Sequence, residues 1–297
     1  MSAPPPLFDR TLRRRRLDRS AAGWCAADFL HRRTAEDVAD RLSAIMRRFP
    51  LAVELGAAPG LMTALAAPEQ VGQWIQAGLS DARLRGVSGP RVAADEERLP
   101  FREASLDLVV SLLSLHWTND LVGALVQIRR ALKPDGLFIG ALLGGATLTE
   151  LRQSLLIAES EIGSGAGARV SPFADGFDGA GLLQRAGFTL PVADVDRVTV
   201  RYDHPIKLMA DLRAMGETSV LIDRPRTPLT RAVLERTAEV YAERFALPDG
   251  RIPATFEIVT LTGWAAHESQ QQPLKPGSAK MRLADALGVV EHKLTPQ

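Results

Sequence analysis

The segment Leu51-Ala52-Val53-Glu54-Leu55-Gly56-Ala57-Ala58-Pro59-Gly60 carries the strongest structural signal in the chain. Its first five residues form a short apolar run typical of a buried β-strand, and a glycine-rich turn follows at once. A helical stretch comes next and ends at Pro68. Glycines at the carboxyl end of a strand let the backbone approach a ligand, because no Cβ atom stands in the way. The segment therefore predicts a strand, a ligand-binding turn and a helix.

Further apolar runs follow this turn and alternate with helical patterns. Strands are predicted at 71–77, 91–95, 106–115 and 137–143, with a helix after Asn119 and Asp120. Strands that alternate with helices form parallel sheets with right-handed crossovers. Two later stretches, 195–202 and 254–264, also have strand patterns. We expect an α/β domain whose parallel sheet ends in a hairpin made by these two strands.

The same patterns divide the chain into four parts. Residues 1–50 form a basic arm and a helix, and 51–145 form the ligand-binding core. Residues 146–267 supply helices and C-terminal strands of the same domain, which we expect to form a lid, and 268–297 form a polar tail. Helix starts are predicted at Thr34, at the capping box Thr147–Glu150 and at Thr227, and loops at 163–168 and 171–176. The first helix is predicted to run through Phe49, and Pro50 closes it.

Composition excludes several classes of protein. The chain has 297 residues with 36 Lys+Arg and 35 Asp+Glu, so its net charge of +1 argues against nucleic-acid binding. The single cysteine, Cys25, excludes a disulfide framework and a cysteine-based zinc site. No apolar run approaches the roughly 20 residues that cross a bilayer, and the N-terminus lacks a secretory signal. We expect a cytoplasmic bacterial protein, or a mitochondrial matrix protein if the source is eukaryotic.

One local charge imbalance lies near the N-terminus. Six arginines fall between Arg10 and Arg19, and four of them are consecutive at Arg13–Arg16. Such an arm is suited to an acidic partner or to peripheral contact with anionic lipid at the inner membrane. An organelle transit peptide is also Arg-rich, but transit peptides contain few acidic residues, and Asp9 and Asp18 do not fit that composition. The remaining interpretation is a solvated helix start, and the sequence leaves these alternatives open.

Three elements of the core carry the chemistry of a nucleotide site. Glu54 stands two residues before Gly56, and Gly60 stands four after it. Asp95 ends the third strand, where its carboxylate can accept a hydrogen bond from the exocyclic amine of adenine. The backbone N–H of the next residue can donate to a ring nitrogen. The third element is Asp107-Leu108-Val109-Val110, an acid that leads into the fourth strand, followed by Ser114-Leu115-His116-Trp117.

The glycine-rich turn, Leu99-Pro100-Phe101, the strand at Asp107 and Leu132-Lys133-Pro134-Asp135-Gly136 resemble the class I S-adenosylmethionine (SAM) methyltransferases, which include the biotin-pathway acyl-carrier-protein methyltransferase. A narrower resemblance, to the family of mitochondrial respiratory complex I assembly factor 5, covers nearly the whole chain. Its motifs are Phe8-Asp9-Arg10 and the segments 94–97, 114–121, 144–148, 215–217, 253–255 and 263–269.

This resemblance implies a Rossmann-like, mostly parallel seven-stranded sheet with a C-terminal hairpin and a helical lid. It implies SAM as cofactor, bound by Glu54, Gly56, Ala58, Gly60, Gly78, Asp95, Glu96 and Ser114. The assembly-factor family hydroxylates an arginine of a complex I subunit rather than methylating it. The resemblance therefore implies a protein substrate.

Two residues depart from the family pattern. Ala58 replaces the central glycine of the turn, and Gly78 replaces an acid that holds both ribose hydroxyls. Losing a charge-assisted hydrogen bond costs about 1.5–3 kcal/mol. We expect the change Gly78→Asp to tighten SAM binding.

No residue can be identified as the catalyst from the sequence patterns alone. His116 can act as a general base, because its ordinary pKa lies near neutrality, or it can simply line the pocket beside Trp117. For a substrate arginine, we expect Trp117, Asp120 and Glu217 to contribute contacts. Paired acids, which also include Glu96 and Glu97, can hold a guanidinium.

Other interpretations remain at this point. The five histidines show no close pairing of the kind a non-haem iron site needs, so no metal is predicted. The competing functions are a methyltransferase for a small molecule or an acyl carrier, and a non-catalytic assembly chaperone with a degraded cofactor site.

Overall fold

A computed structural model of the chain describes residues 5–56, 58–163, 165, 167–173, 178–271 and 288. The chain separates into two compact units, Met1–Ala266 and His267–Gln297. Parts of the predicted loops at 163–168 and 171–176, and most of the predicted tail at 268–297, lie outside the described residues. The first unit contains every helix and strand discussed below.

The helices are α1 (Arg10–Ser20), α2 (Phe29–Ser43), α3 (Leu61–Leu65), α4 (Asp81–Leu84), α5 (Leu121–Ala131), α6 (Thr149–Ile162), α7 (Gly179–Arg185), α8 (Pro205–Met215) and α9 (Arg231–Phe245). The strands are β1 (Phe49–Gly56), β2 (Val71–Gly78), β3 (Arg91–Ala93), β4 (Leu106–Leu112), β5 (Leu132–Leu143), β6 (Phe188–Tyr202) and β7 (Ile252–Ala265). Short 3₁₀ helices occupy Ala21–Ala26 and Leu115–Trp117.

The described strands form a seven-stranded sheet in the order β3-β2-β1-β4-β5-β7-β6. Strands β1 to β5 pair in parallel, whereas β7 runs antiparallel to both β5 and β6. The predicted fold class, a mostly parallel sheet that ends in a C-terminal hairpin, is therefore confirmed. The carboxyl ends of β1 to β4 meet along one edge of the sheet, which is where ligands bind in folds of this kind.

The centre of the sheet is covered on both faces. Every residue of β4 is buried, as expected for a central parallel strand. On one face, Val109 and Phe138 pack against Leu125 and Ile128 of α5. On the other face, residues of β1, β4 and β5 pack against α2 and α3. Apolar residues of α6, α8 and β7, with Tyr241 of α9, form a further cluster, so the helices of 146–267 pack on the same sheet.

Two predicted boundaries at the first long helix are wrong. Helix α2 begins at Phe29, so Thr34 lies inside it and its Oγ1 donates to the carbonyl of Leu30. The helix also ends at Ser43 rather than running through Phe49. The backbone N–H of Phe49 donates to the carbonyl of Gln70, which shows that pairing with the neighbouring strand outweighs the apolar helical spacing.

The predicted capping box does not form. Helix α6 starts at Thr149, after Leu148 in a left-handed conformation (φ 55°). The Thr147 hydroxyl bonds the backbone of Glu257, and the Glu150 carboxylate bonds Thr255. Both side chains therefore tie α6 to β7. Helix α9 is likewise capped by Thr230 rather than by the predicted Thr227.

Candidate functional site

The glycine-rich turn after β1 is held by a buried carboxylate. Glu54 is 3% exposed, and its two oxygens accept hydrogen bonds from the backbone N–H groups of Gly60 and Met62, both at 3.1 Å. The side-chain oxygen of Gln76, on β2, also accepts from Gly60 at 2.9 Å. Burial raises the pKa of Glu54 to about 7, although these hydrogen bonds act to lower it. The acid predicted from the motif thus shapes the turn.

Two glycines of the turn have conformations and surroundings that exclude a side chain. Gly56 has φ 126° and Gly60 has φ 91°. A Cβ atom on Gly56 would lie 2.5 Å from Cβ of Ser114, and one on Gly60 would lie 2.5 Å from Cγ1 of Val87. Only glycine adopts these positive φ angles readily and also fits without a Cβ atom. Ala58 is buried in the apolar cluster that covers the α2 and α3 face.

The end of β2 has no acidic side chain of its own. A Cβ atom on Gly78 would press against the backbone carbonyl of Gly56, well inside the 3.0 Å at which real Cβ contacts begin. Ser80, two residues further on, donates from its hydroxyl to a carboxylate oxygen of Asp18 at 2.6 Å. Helix α1 therefore brings a carboxylate to this strand end, a contact that the sequence patterns did not reveal.

The acids at the end of β3 bind an arginine of the same chain. Arg10 of α1 donates to Asp95 at 2.6 Å, to Glu96 and to the carbonyl of Trp117 at 3.1 Å. Glu96 also accepts from the hydroxyl of Ser114, which is buried. The structure thus brings the predicted residues Asp95, Glu96 and Ser114 together. The motif Phe8-Asp9-Arg10 was the sequence signal that pointed to Arg10.

A second arginine of α1 lies deeper in the molecule. Arg13 is 1% exposed and donates to the carbonyl of Gly216 and to Glu217 Oε1, both at 2.6 Å. The other Glu217 oxygen accepts from Trp117 Nε1 at 2.6 Å. Burial acts to raise the pKa of Glu217, but Arg13 and His116 more than offset it and hold that pKa below its usual range. Trp117 and Glu217 are therefore engaged within the chain, and Arg13 is not free for lipid.

His116 has protein groups at both ring nitrogens. Its Nδ1 accepts from the backbone N–H of Leu143 at 3.4 Å, and its Nε2 lies 3.5 Å from Glu217 Oε2. Burial lowers the pKa of His116, so the ring is neutral near pH 7. With Nδ1 accepting, the proton sits on Nε2 and faces Glu217. This geometry leaves no lone pair for a substrate and favours His116 as a wall of the pocket.

A cavity of about 350 Å³ lies beside His116, at the carboxyl ends of β4 and β5. Most of its lining is apolar, from Phe8, Leu115, Leu121, Leu142, Leu143 and Phe173. Thr118 also lines it. Asp120, which lies between Thr118 and Leu121, is exposed and caps α5 through Oδ1 at 2.8 Å from the N–H of Gly123. The fourth predicted acid, Glu97, accepts from Asn119.

Within the part of the chain that the structure describes, no group of three or more His, Cys, Asp or Glu side chains is placed to hold a metal ion. His31 is fully buried and both of its ring nitrogens lack a hydrogen-bond partner. Its ring stands edge-on to Trp24, with centroids 4.7 Å apart. Burial lowers the pKa of His31 to about 3, helped by Arg83 and Arg13.

The strand order and the glycine turn that Glu54 organises define a class I methyltransferase fold, whose cofactor is SAM. A profile for the family described as "Methyltransferase domain" matches residues 53–140. Two solved structures share the fold at low sequence identity. A Bacillus halodurans protein assigned as a methyltransferase has 15% identity and a TM-score of 0.53, and covers 78% of this chain and 99% of its own. The YcgJ protein of Bacillus subtilis has 14% identity and a TM-score of 0.52, with 79% and 99% covered.

Curated relatives extend the similarity over the whole chain. The mitochondrial arginine-hydroxylase NDUFAF5 of Homo sapiens is 40% identical over 98% of this chain and 86% of its own length. The Danio rerio protein of the same name is 40% identical over 94% and 89%. The malonyl-[acyl-carrier protein] O-methyltransferase of a Methylovorus strain is 32% identical over 99% and 98%. This chain belongs to the NDUFAF5 family of the SAM-dependent methyltransferase superfamily.

The glycine turn fits the cofactor, because Gly56 and Gly60 carry no Cβ atom and let the backbone approach a ligand closely. At the end of β3 the Asp95 carboxylate binds Arg10 and the backbone N–H of Glu97, and a carboxylate keeps acceptor capacity beside such bonds. The end of β2 fits less well, because Gly78 supplies no acceptor for the ribose hydroxyls. The carboxylate of Asp18 is held near that end through Ser80. No helix among the described residues has the length and apolar character that crossing a bilayer requires.

Proposed function

We propose that the protein is a SAM-binding enzyme that modifies a protein substrate, an arginine side chain of a respiratory complex I subunit during assembly. The observation that carries this proposal is the 40% identity to the arginine-hydroxylase NDUFAF5 over 98% of the chain. That similarity extends far beyond the cofactor region at 53–140. It therefore includes the lid helices and the segments around Glu217 and Trp264.

In this proposal the chain's own residues bind and position the reactants. Gly56 and Gly60, in the turn that Glu54 holds, contact the amino-acid end of SAM, and Asp95 and Glu96 stay bound to Arg10 beside its adenine end. SAM supplies an electrophilic methyl group on its sulfonium centre. The apolar cavity beside His116 accommodates the aliphatic stem of the substrate arginine, and positioning supplies most of the rate.

Asp120 is the acid that we propose for the substrate guanidinium. Glu96 and Glu217 already bind Arg10 and Arg13, so they are occupied by guanidinium groups of this chain. Asp120 is exposed and lies between two residues that line the cavity. A carboxylate there can pair with a guanidinium that emerges from the apolar stem site. In this arrangement Trp117 and Glu217 support the wall of the cavity and keep His116 in place.

Cofactor binding is tested by titration with S-adenosylhomocysteine in a calorimeter. Gly60→Ala places a methyl group against Val87 at a φ of 91°, and we expect at least a tenfold loss of affinity, about 1.4 kcal/mol. Gly89→Ala is the matched control, because Gly89 also has φ 91° but nothing lies within 4 Å of its Cβ position. Absence of binding by the unchanged protein would favour the non-catalytic chaperone.

The substrate is tested by mass spectrometry of the product. The protein is incubated in air with SAM, a two-electron reductant and an arginine-containing peptide from a complex I subunit, because hydroxylation takes one oxygen atom from dioxygen and reduces the other to water. A mass gain of one oxygen atom identifies hydroxylation, and a gain of one methylene group identifies methylation. Asp120→Asn should lower peptide binding and leave binding of S-adenosylhomocysteine unchanged. An unmodified peptide and an unmodified intact subunit would contradict the proposal.

A second candidate function is methylation of an acyl-carrier-protein thioester. The 32% identity to a malonyl-[acyl-carrier protein] O-methyltransferase over 99% of the chain supports it. Labelled methyl transfer from SAM onto a malonyl thioester distinguishes the two functions, because the methyl ester forms only if the protein is a methyltransferase of this kind.

In a bacterial source the proposed location is the cytoplasm, with peripheral contact at the inner membrane.

A further inference from the structure

Arginines gather where α1 packs against α8 and the segment that follows it. This cluster consists of Arg16 and Arg19 on α1, Arg213 in the last turn of α8, and Arg224. Arg16 lies one turn after Arg13, which reaches the carbonyl of Gly216. Burial and the charges of the surrounding arginines, Arg224 first among them, lower the pKa of Arg16 to about 10. Four guanidinium groups therefore share one small region.

No arginine of the cluster is paired with a carboxylate among the described residues. None of its four arginines has a carboxylate oxygen within 4.0 Å there, whereas Arg10 and Arg13 on the same helix are both paired with acids. The Nη1 atom of Arg16 is buried and has no hydrogen-bond partner. Arg224 donates to the carbonyl of Leu221. Arg19 and Arg213 are exposed to solvent, whereas the partly buried Arg16 carries a guanidinium nitrogen without an acceptor, which is unfavourable and favours an anion at this position.

An apolar cavity opens beside this cluster. Its volume is about 190 Å³, which exceeds the roughly 150 Å³ that holds a benzene-sized molecule in an apolar protein cavity. Its apolar walls come mainly from Leu148, Leu151, Leu155, Met209, Leu212 and Leu229. Arg213 belongs both to the cluster and to this lining, and Thr218 and Ser219 add hydroxyl groups. Two other charged residues of the lining, Arg169 and Glu217, are already paired with Glu159 and Arg13. A charged rim therefore continues into an apolar interior.

We infer that the arginine cluster and this cavity bind one anionic phospholipid. The phosphate lies on Arg16, Arg213 and Arg224, and part of an acyl chain enters the cavity. An acidic peptide would neutralise the arginines but would leave the apolar cavity open to water. A phospholipid satisfies both halves of the site. This role goes beyond the proposed enzymatic function, because no residue of the cluster belongs to the cofactor turn.

Binding of the lipid headgroup by the arginine cluster is tested by sedimentation of the full-length protein with lipid vesicles. We expect binding to phosphatidylcholine vesicles that contain phosphatidylglycerol, and none to phosphatidylcholine alone. Arg213→Gln should weaken binding about fivefold, and Arg213→Gln with Arg224→Gln about 25-fold, if each arginine contributes as cations near a charged membrane usually do. Thermal unfolding of each variant checks that the fold is retained.

The matched control removes the same charge from the same arm. Arg14 and Arg15 are exposed on α1 and lie outside the cluster. Arg14→Gln with Arg15→Gln should change vesicle binding less than twofold. An equal loss in this control would mean that the whole basic arm acts as a diffuse charge, and it would overturn the site.

The contribution of the lipid acyl chain to binding is tested by calorimetry with soluble probes. We expect a short-chain phosphatidylglycerol, below its micelle concentration, to bind with a dependence on Arg213, and inorganic phosphate to bind at least tenfold more weakly. Equal binding of the two probes would show that the acyl chain does not contribute to binding at the cavity. Binding of polyglutamate in preference to the short-chain lipid would assign the cluster to an acidic protein partner. Either result would overturn the lipid inference.

Discussion

At the end of β2, one glycine shows how a family pattern and a particular backbone can disagree. The pattern has an acid at position 78, and the sequence alone suggested that restoring it would improve cofactor binding. The structure instead places the carbonyl of Gly56 where the new Cβ atom would lie. That carbonyl is backbone, so it cannot rotate away as a flexible side chain would. The restored acid has no room unless the cofactor turn itself moves.

We therefore expect Gly78→Asp to destabilise the protein and not to tighten SAM binding. Overpacking of this kind costs about 1–3 kcal/mol in the free energy of unfolding. Urea denaturation and calorimetric titration with S-adenosylhomocysteine measure the two effects. Gly23→Asp is the control, since nothing lies within 4 Å of the Cβ position of Gly23. Tighter binding with unchanged stability in Gly78→Asp would contradict this account.

A buried histidine makes stability depend on pH. His31 has a pKa of about 3 in the folded chain, mainly because of burial, against an ordinary value near 6.5. Between these two values the unfolded chain binds a proton that the folded chain does not. The free energy of unfolding therefore falls as pH decreases from 6.5 toward 3, by up to about 1.4 kcal/mol per pH unit.

His31→Phe should remove this acid-labile contribution. The phenyl ring suits the edge-on contact with Trp24, and the variant's stability should fall less steeply below pH 6.5 than that of the unchanged protein. Urea denaturation at pH 7.5, 6 and 5 measures the slopes. Parallel curves for His31→Phe and the unchanged protein would show that His31 titrates normally.

At the scale of elements, α1 owes its position to contacts that no local pattern contains. Its sequence has six arginines and reads as a solvated or lipid-facing arm. Arg13 is nevertheless buried, because Gly216 and Glu217 supply acceptors more than 200 residues away along the chain. Arg10 likewise finds Asp95 and Glu96. Only the fold brings these acids to α1, so the sequence predicted a basic helix but not which side of it is buried.

The sheet was predictable for the opposite reason. Strands β1, β2, β4 and β5 are marked by short apolar runs, and burial on both faces makes such runs decisive. Helix starts were less predictable, because a threonine or glutamate that matches a cap can bond elsewhere. Thr147 and Glu150 bond β7 instead of the first turn of α6. The glycine turn, Asp95 and the motif that contains Arg10 were likewise visible in the sequence, whereas the roles of Asp18 and Gln76 were not, since only packing brings them to the site.

The pair formed by Arg13 and Glu217 gives an element-level prediction. Arg13→Met leaves a buried carboxylate without its cation and should cost about 3–5 kcal/mol in the free energy of unfolding. Glu217→Gln should cost a similar amount, and the double variant should cost clearly less than the sum. Urea denaturation of the four proteins measures this coupling. Arg14→Met, at an exposed position of the same helix, should change stability by less than about 0.5 kcal/mol. Additive single effects would show that the two groups do not act as a pair.

At the scale of the whole molecule, α1 connects the cofactor region with the segment after α8. Arg10 and Asp18 attach it to the ends of β3 and β2, through Glu96 and Ser80. Arg13 attaches the same helix to residues 216–217. The backbone of α1 is continuous between these two sets of contacts. A ligand that steadies the contacts of Arg10 and Asp18 should therefore also steady the contacts of Arg13, which lies between them in the helix.

We expect hydrogen exchange to reveal this coupling. Addition of S-adenosylhomocysteine should slow amide exchange in the turn at 56–62 and also in 216–222, which does not belong to the cofactor turn. In Arg13→Gln the slowing should persist at 56–62 and disappear at 216–222, because the helix loses its attachment to the second segment. Arg14→Gln should preserve both effects. If 216–222 responds equally in Arg13→Gln, the signal reaches it through the sheet and not through α1, and the helix is only a cover over the cofactor region.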